Sequence, residues 1–86
     1  MTKANRLMDK QSAQLVDCLQ IDMVKESPCA IVVHPVGYKT IREKGDFIEA
    51  SHSTIMKHGK YGTIEQASIY VSTLAPKDKM YVIDRD

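Results

Sequence analysis

Three histidines, two cysteines and a basic loop are the parts of this chain that could do chemistry, and their spacing decides which chemistry is open to them. Structural zinc sites present closely spaced Cys or His pairs, about two to five residues apart, that the local backbone holds together. Cys18 and Cys29 stand much further apart, and His52 and His58 lie in a stretch without a fixed period. A site built from Cys18, Cys29 and His34 would need the whole fold to assemble it. Buried reduced thiols and a histidine at a strand end account for the same residues, so no metal and no cofactor is expected. Nucleophilic catalysis needs a Ser or Cys within reach of an oriented base. Asp46, Ser51, His52 and Ser53 are close in sequence, but successive residues of a strand face opposite ways and no nucleophile elbow surrounds either serine. Glu49 with Asp84 and Asp86 could form an acidic metal cluster, for which a solvated chain terminus is the simpler account. The chain is not expected to be an enzyme.

The best small-ligand feature is the run Lys57, His58, Gly59, Lys60, Tyr61, Gly62, Thr63. Cationic side chains on a glycine-containing loop lead into what the pattern marks as a helix start, and an anion is stabilised there by the side chains and by the helix N-terminus. The run lacks the order of a phosphate-binding P-loop. A basic surface loop whose glycines serve the turn is the alternative, and Tyr61 alone gives modest support for base stacking.

The elements that must position these residues follow from periodicity. Residues 4–24 place Leu7, Met8, Leu15, Val16, Cys18, Leu19 and Met23 on one side of a helical wheel, and Ser27-Pro28 ends that helix. Ile21 and Val24 fall outside its apolar arc. The β-branched run Cys29 to His34 reads as a strand covered on both faces, interrupted at Pro35. Residues 38–43 alternate and Lys44-Gly45 marks a turn into Phe47 to Ala50, which reads as a hairpin. A rival assignment makes Asp46 a helix cap and Gly59 a helix stop. The weak helix formers Ser51, His52, Ser53 and Thr54 weigh against it, so residues 46–58 are expected to be extended.

Thr63 and Gln66 have the spacing of a capping box, and Pro76 ends the helix they would open. Between Thr63 and Ala75 the only formal charge is Glu65, and Ile69 and Tyr70 stand where a solvated helix would carry Lys or Glu. Met80 to Ile83 closes the fold as a strand. The expected architecture is a single α+β domain over residues 1–86, in the order α-β-β-β-α-β. Three to four mostly antiparallel strands would carry two helices on one face. Surplus apolar residues at Ile69, Tyr70, Ile21 and Val24 would then form a partner surface, most simply the two-fold interface of a homodimer, the alternative being a wider core in which Ile69 and Tyr70 lie under a loop or against the N-terminal helix.

Composition bounds the partners. Twelve Lys and Arg against eleven Asp and Glu leave a net charge of +1, without the basic excess of a constitutive DNA binder. The 86 residues make a small domain with a marginal core. No apolar segment is long enough for a membrane span and residues 1–10 do not read as a signal peptide, so a cytoplasmic location is expected.

The pattern Gly62 to Ala67, Tyr70-Val71, Leu74-Ala75-Pro76 and Met80 to Asp84 resembles the hairpin-helix-strand unit of small accessory proteins from tailed bacteriophages. That resemblance implies a compact viral protein of the host cytoplasm that binds and blocks a larger host enzyme or defence complex, often as a dimer. It carries over no functional residue. The expected function is thus a non-enzymatic, homodimeric protein-binding inhibitor, the alternative being a nucleic-acid or nucleotide binder that uses the loop from Lys57 to Gly62.

Overall fold

The computed structural model describes residues 3–9, 13–44 and 46–84. Its elements are α1 (Lys3–Met8), β1 (Gln14–Asp17), a 3-10 turn (Cys18–Gln20) running into α2 (Ile21–Val24), β2 (Cys29–Val33), α3 (Pro35–Arg42), β3 (Phe47–Glu49), α4 (His52–His58), β4 (Lys60–Ile64), β5 (Ala67–Val71) and β6 (Lys79–Asp84). Among the described residues the six strands form one mixed sheet in the order β1-β6-β2-β5-β4-β3. Only β2 and β5 are parallel, and every other neighbouring pair is antiparallel. The α+β class is as expected. The expected sheet of three to four strands with two helices on one face is replaced by six strands and four helices placed on both faces.

Alternate residues of each central strand feed two separate cores. Cys29, Ile31 and Val33 of β2, with Ile64, Ala67, Ile69 and Met80, meet Cys18 and Ile21 of the 3-10 turn and α2, and Ile41 of α3. Ala30 and Val32, with Tyr70 and Ile83, meet Ala4 and Leu7 of α1. All five residues of β2 are buried, which is the continuous apolar run seen in the sequence.

Three sequence expectations fail for identifiable reasons. Residues 4–24 are not one helix. The Asp17 carboxylate accepts from the Leu19 backbone N–H and caps a new turn, while Gln14 to Asp17 pair with β6 instead of continuing a helix. Residues 38–43 are helical: Pro35 occupies the first turn of α3, where its missing N–H costs nothing, and His34 Nδ1 accepts from the Val36 N–H as the cap. The hairpin turn proposed at Lys44-Gly45 includes Gly45, outside the described residues.

The helix expected over residues 63–75 is the β4–β5 hairpin followed by a loop. Glu65 takes a positive φ of 52° at its turn. The Gln66 backbone N–H and side chain donate to the carbonyls of Lys25 and Glu26, tying that turn to the end of α2 instead of closing a capping box. Residues 46–58 divide between the two assignments: β3 is extended, then α4 begins at a Ser51 cap and ends at Gly59, whose φ is 70°. Ser51 and Thr54 are poor helix formers in a helix interior. Here Ser51 Oγ accepts from the Thr54 N–H at the helix start, where such residues are favoured.

No helix among the described residues is long and apolar enough to cross a membrane.

Candidate functional site

The surplus apolar residues turn out to be core. Ile69 and Ile21 are fully buried, Tyr70 is 6 % exposed, and Val24 is packed against the larger core. Ile69 and Tyr70 lie on opposite faces of β5, Ile69 beneath the α2 and α3 layer and Tyr70 beneath α1. They cannot form one surface patch. A strand buried on both sides needs apolar residues at consecutive positions, and a helical wheel misreads these as residues facing outward.

The basic run is divided as well. Lys57 and His58 are the last residues of α4, so the chain leaves a helix C-terminus there and enters no helix N-terminus. The partial negative charge at that end stabilises both side chains without any ligand. Lys60 and Thr63 lie within β4, Lys60 paired with Tyr70 and Thr63 held between Ile48 and Ser68.

What the fold adds is a second source of cations. An open cleft of about 550 Å³ separates α1 from the C-terminal half of α4, lined by Lys3, Asn5 and Arg6 on one side and by Ile55, Met56, Lys57, His58 and Gly59 on the other. Among the described residues no carboxylate lines it. None of Lys3, Arg6, Lys57 or His58 enters an ion pair among the described residues, whereas Lys25, Arg42, Lys44 and Lys79 all do. The helix dipole accounts for Lys57 and His58 in the last turn of α4 and for Arg6 in the last turn of α1, but not for Lys3 or for the convergence of the two helix ends on the same space.

Both walls are fixed. Ala4 and Leu7 seat α1 on the sheet, and Asn5 Oδ1 accepts from the Ser72 hydroxyl at 2.7 Å. The Lys3 ammonium lies 5.6 Å from the centre of the Tyr70 ring, a cation–π contact that orients it. On the other wall α4 buries no residue of its own. It is held at its ends, where the Ala50 N–H donates to the Tyr61 carbonyl at 2.9 Å and the Val71 N–H to the Gly59 carbonyl at 3.3 Å.

A second hollow of about 310 Å³ adjoins this cleft and shares Asn5 with it. Its walls are Pro35, Tyr61, Val71, Ser72, Thr73 and Leu74, at the carboxyl ends of the parallel strands β2 and β5. Ligands of α/β sheets commonly bind outside such strand ends. The Tyr61 ring is set edge-on to Tyr38 with centroids 5.2 Å apart, and Tyr38 is likewise edge-on to Phe47 at 5.5 Å. Burial pushes the Tyr38 phenol up against the opposing pull of the Arg42 guanidinium, so Tyr38 keeps its proton. Sequence inspection finds Tyr61 but not Leu74 or Thr73, because nothing local marks a loop residue as lining a hollow.

Several residues weighed for catalysis or metal binding have structural partners. Ser51 caps α4 and its hydroxyl lies 2.8 Å from that of Thr54, while His34 caps α3. Cys18 and Cys29 are buried free thiols of the same core, and Cys29 Sγ donates to the Val24 carbonyl. Among the described residues no group of three or more His, Cys, Asp or Glu side chains is placed to hold a metal ion. Asp86, part of the acidic cluster weighed above, lies outside the described residues. No protein-family model, curated protein or solved structure matches the chain.

Proposed function

We propose that this protein is a non-enzymatic binder of phosphate-bearing ligands, of the nucleic-acid or nucleotide class, and that the cleft between α1 and α4 is where the phosphates sit. The observation that carries this is the convergence of Lys3, Arg6, Lys57 and His58 from two helices on one open cleft, with no carboxylate lining it and no ion pair to any of them among the described residues. A net charge of only +1 is compatible with that role because the positive charge is concentrated locally. The binding surface is then a charged cleft built on α1, and the apolar positions 69 and 70 serve the core.

Three permanent cations on a single strand predict that log K falls with log salt with a slope of about −2, at about 0.7 per phosphate contacted. Fluorescence anisotropy of a labelled oligonucleotide, titrated at several salt concentrations, reads that slope directly. The Arg6→Ala, Lys57→Ala double variant should weaken binding and shrink the slope to roughly −0.7. Loss of Lys57 from the helix end should cost stability by at most about 1 kcal/mol. Wild-type protein that binds no DNA or RNA probe at low salt, or a double variant with an unchanged slope, rules the proposal out.

A further inference from the structure

We infer that the hollow beside Tyr61 receives an unpaired nucleobase whose own phosphate lies in the basic cleft, so that the ligand unit is a nucleotide with its base exposed. This rests on the cleft as the phosphate site and adds what the second hollow recognises. The two spaces share Asn5, and their chemistry divides cleanly. The cleft holds Lys3, Arg6, Lys57 and His58, whereas among the described residues no charged side chain lines the hollow.

A ligand spanning both must therefore carry an anionic group next to a neutral, largely apolar one. A nucleotide is built this way, with a charged phosphate and a flat heteroaromatic base. The hollow suits a flat ring. Tyr61 offers an aromatic surface whose orientation Tyr38 fixes, and Pro35 and Leu74 supply apolar walls. Leu74 is 70 % exposed, so its side chain is open to whatever enters the hollow. That loop is itself preorganised: the Leu74 N–H donates to the Ser72 hydroxyl, the Ala75 N–H to the Ser72 carbonyl, and the Ser72 N–H to the Val33 carbonyl. Thr73, a residue with a polar side chain, lines the same hollow. Bases inside a duplex are stacked and paired and cannot enter such a space, so recognition is confined to unpaired nucleotides.

The test compares one short oligonucleotide as a single strand and as a duplex, with inorganic polyphosphate and a free nucleoside monophosphate as competitors, by anisotropy at low salt. The single strand should bind about tenfold or more tighter than the duplex. Tyr61→Ala should weaken the strand by about 5- to 150-fold, the range for losing one base–aromatic stack, and leave competition by polyphosphate unchanged. Leu74→Asp alters an exposed residue and keeps the fold, so it serves if Tyr61→Ala disturbs the packing on Tyr38; it should weaken the strand comparably. Displacement of the strand by the monophosphate would mark the free nucleotide as a ligand in its own right, and its failure to displace would assign the site to a strand; either agrees with the inference. Equal affinity for strand and duplex, or strand binding untouched by both variants, overturns it while polyphosphate binding still upholds the cleft. Absence of polyphosphate binding as well overturns both.

Discussion

Replacing Gly62 with Ala should be among the most damaging single-methyl additions in this protein, although alanine is ordinarily at least as good as glycine in a strand. Gly62 pairs with Glu49 of β3 on one side and Ile69 of β5 on the other, and the Phe47 ring lies over it. A Cβ built there would collide with the Ile48 carbonyl oxygen and would stand 2.6 Å from Phe47 Cζ and 2.9 Å from Cε1, where ordinary contact begins near 3.4 Å. The carbonyl is backbone and cannot rotate aside, so β3 as a whole must retreat. Overpacking of this kind costs about 1–3 kcal/mol, and the fixed carbonyl puts Gly62→Ala at the upper end. For a chain of this size total stability is about 4–13 kcal/mol, and each kcal/mol moves the melting point by about 4–8 °C.

The expected loss in melting temperature is therefore roughly 10–20 °C, read by far-ultraviolet circular dichroism and checked by urea unfolding. Because β3 leads into α4, the displaced strand should also carry Lys57 and His58 away from α1 and weaken anion binding. Gly59→Ala is the control. Nothing lies within 4 Å of the added methyl, and only the left-handed backbone at φ 70° opposes it, a strain of about 1–2 kcal/mol. A Gly62→Ala protein that melts within 2–3 °C of wild type, or above it, would refute this account of the β3–β4 contact, since such a shift is below about 1 kcal/mol. So would a larger loss from Gly59→Ala.

Ile69→Asp should unfold the chain and not merely separate a dimer, because a carboxylate with no partner would sit in a fully buried site at a cost comparable to the whole stability. Ile69→Val should stay folded and lose about 0.5–1.5 kcal/mol. Gel filtration with light scattering and circular dichroism distinguishes these outcomes, and a folded Ile69→Asp monomer with near-native melting would show that position 69 is not core. Burial pushes the Cys18 thiol up, helped by Asp17 and Asp78 and opposed by Lys79. The folded state holds this proton more tightly than the unfolded chain. Its contribution is complete below the ordinary thiol pKa of about 8.5 and is lost as pH rises through the higher folded value. Urea midpoints should fall as pH rises above about 8.5, less so for Cys18→Ala, and a Cys18 thiol that reacts with a thiol reagent as fast in native protein as in urea would contradict its burial.

The sequence by itself determined the strand segments whose patterns admit one periodicity. The run Cys29 to Val33 could only be a strand covered on both faces, and Met80 to Ile83 reads as strand from its composition; both stand as β2 and β6. Lys57 and His58 were also legible as basic surface side chains, whereas Gly59, read as part of a loop, takes its left-handed backbone as the stop of α4. Tertiary structure decided the rest where local signals are degenerate. Positions four apart lie on one face of a helix and also on one face of a strand, so Ala67 with Val71 satisfies either period; pairing of β5 with β2 and β4 settles it as strand. His34-Pro35 breaks a strand and equally opens a helix, and the outcome was fixed by packing Ile41 into the core above β2. The basic cleft was half legible. Lys57 and His58 stand out in the sequence, but Lys3 and Arg6 join them only because α1 packs on the sheet face where Ala30, Val32, Tyr70 and Ile83 await cover, and apolar burial is indifferent to which cations it brings together.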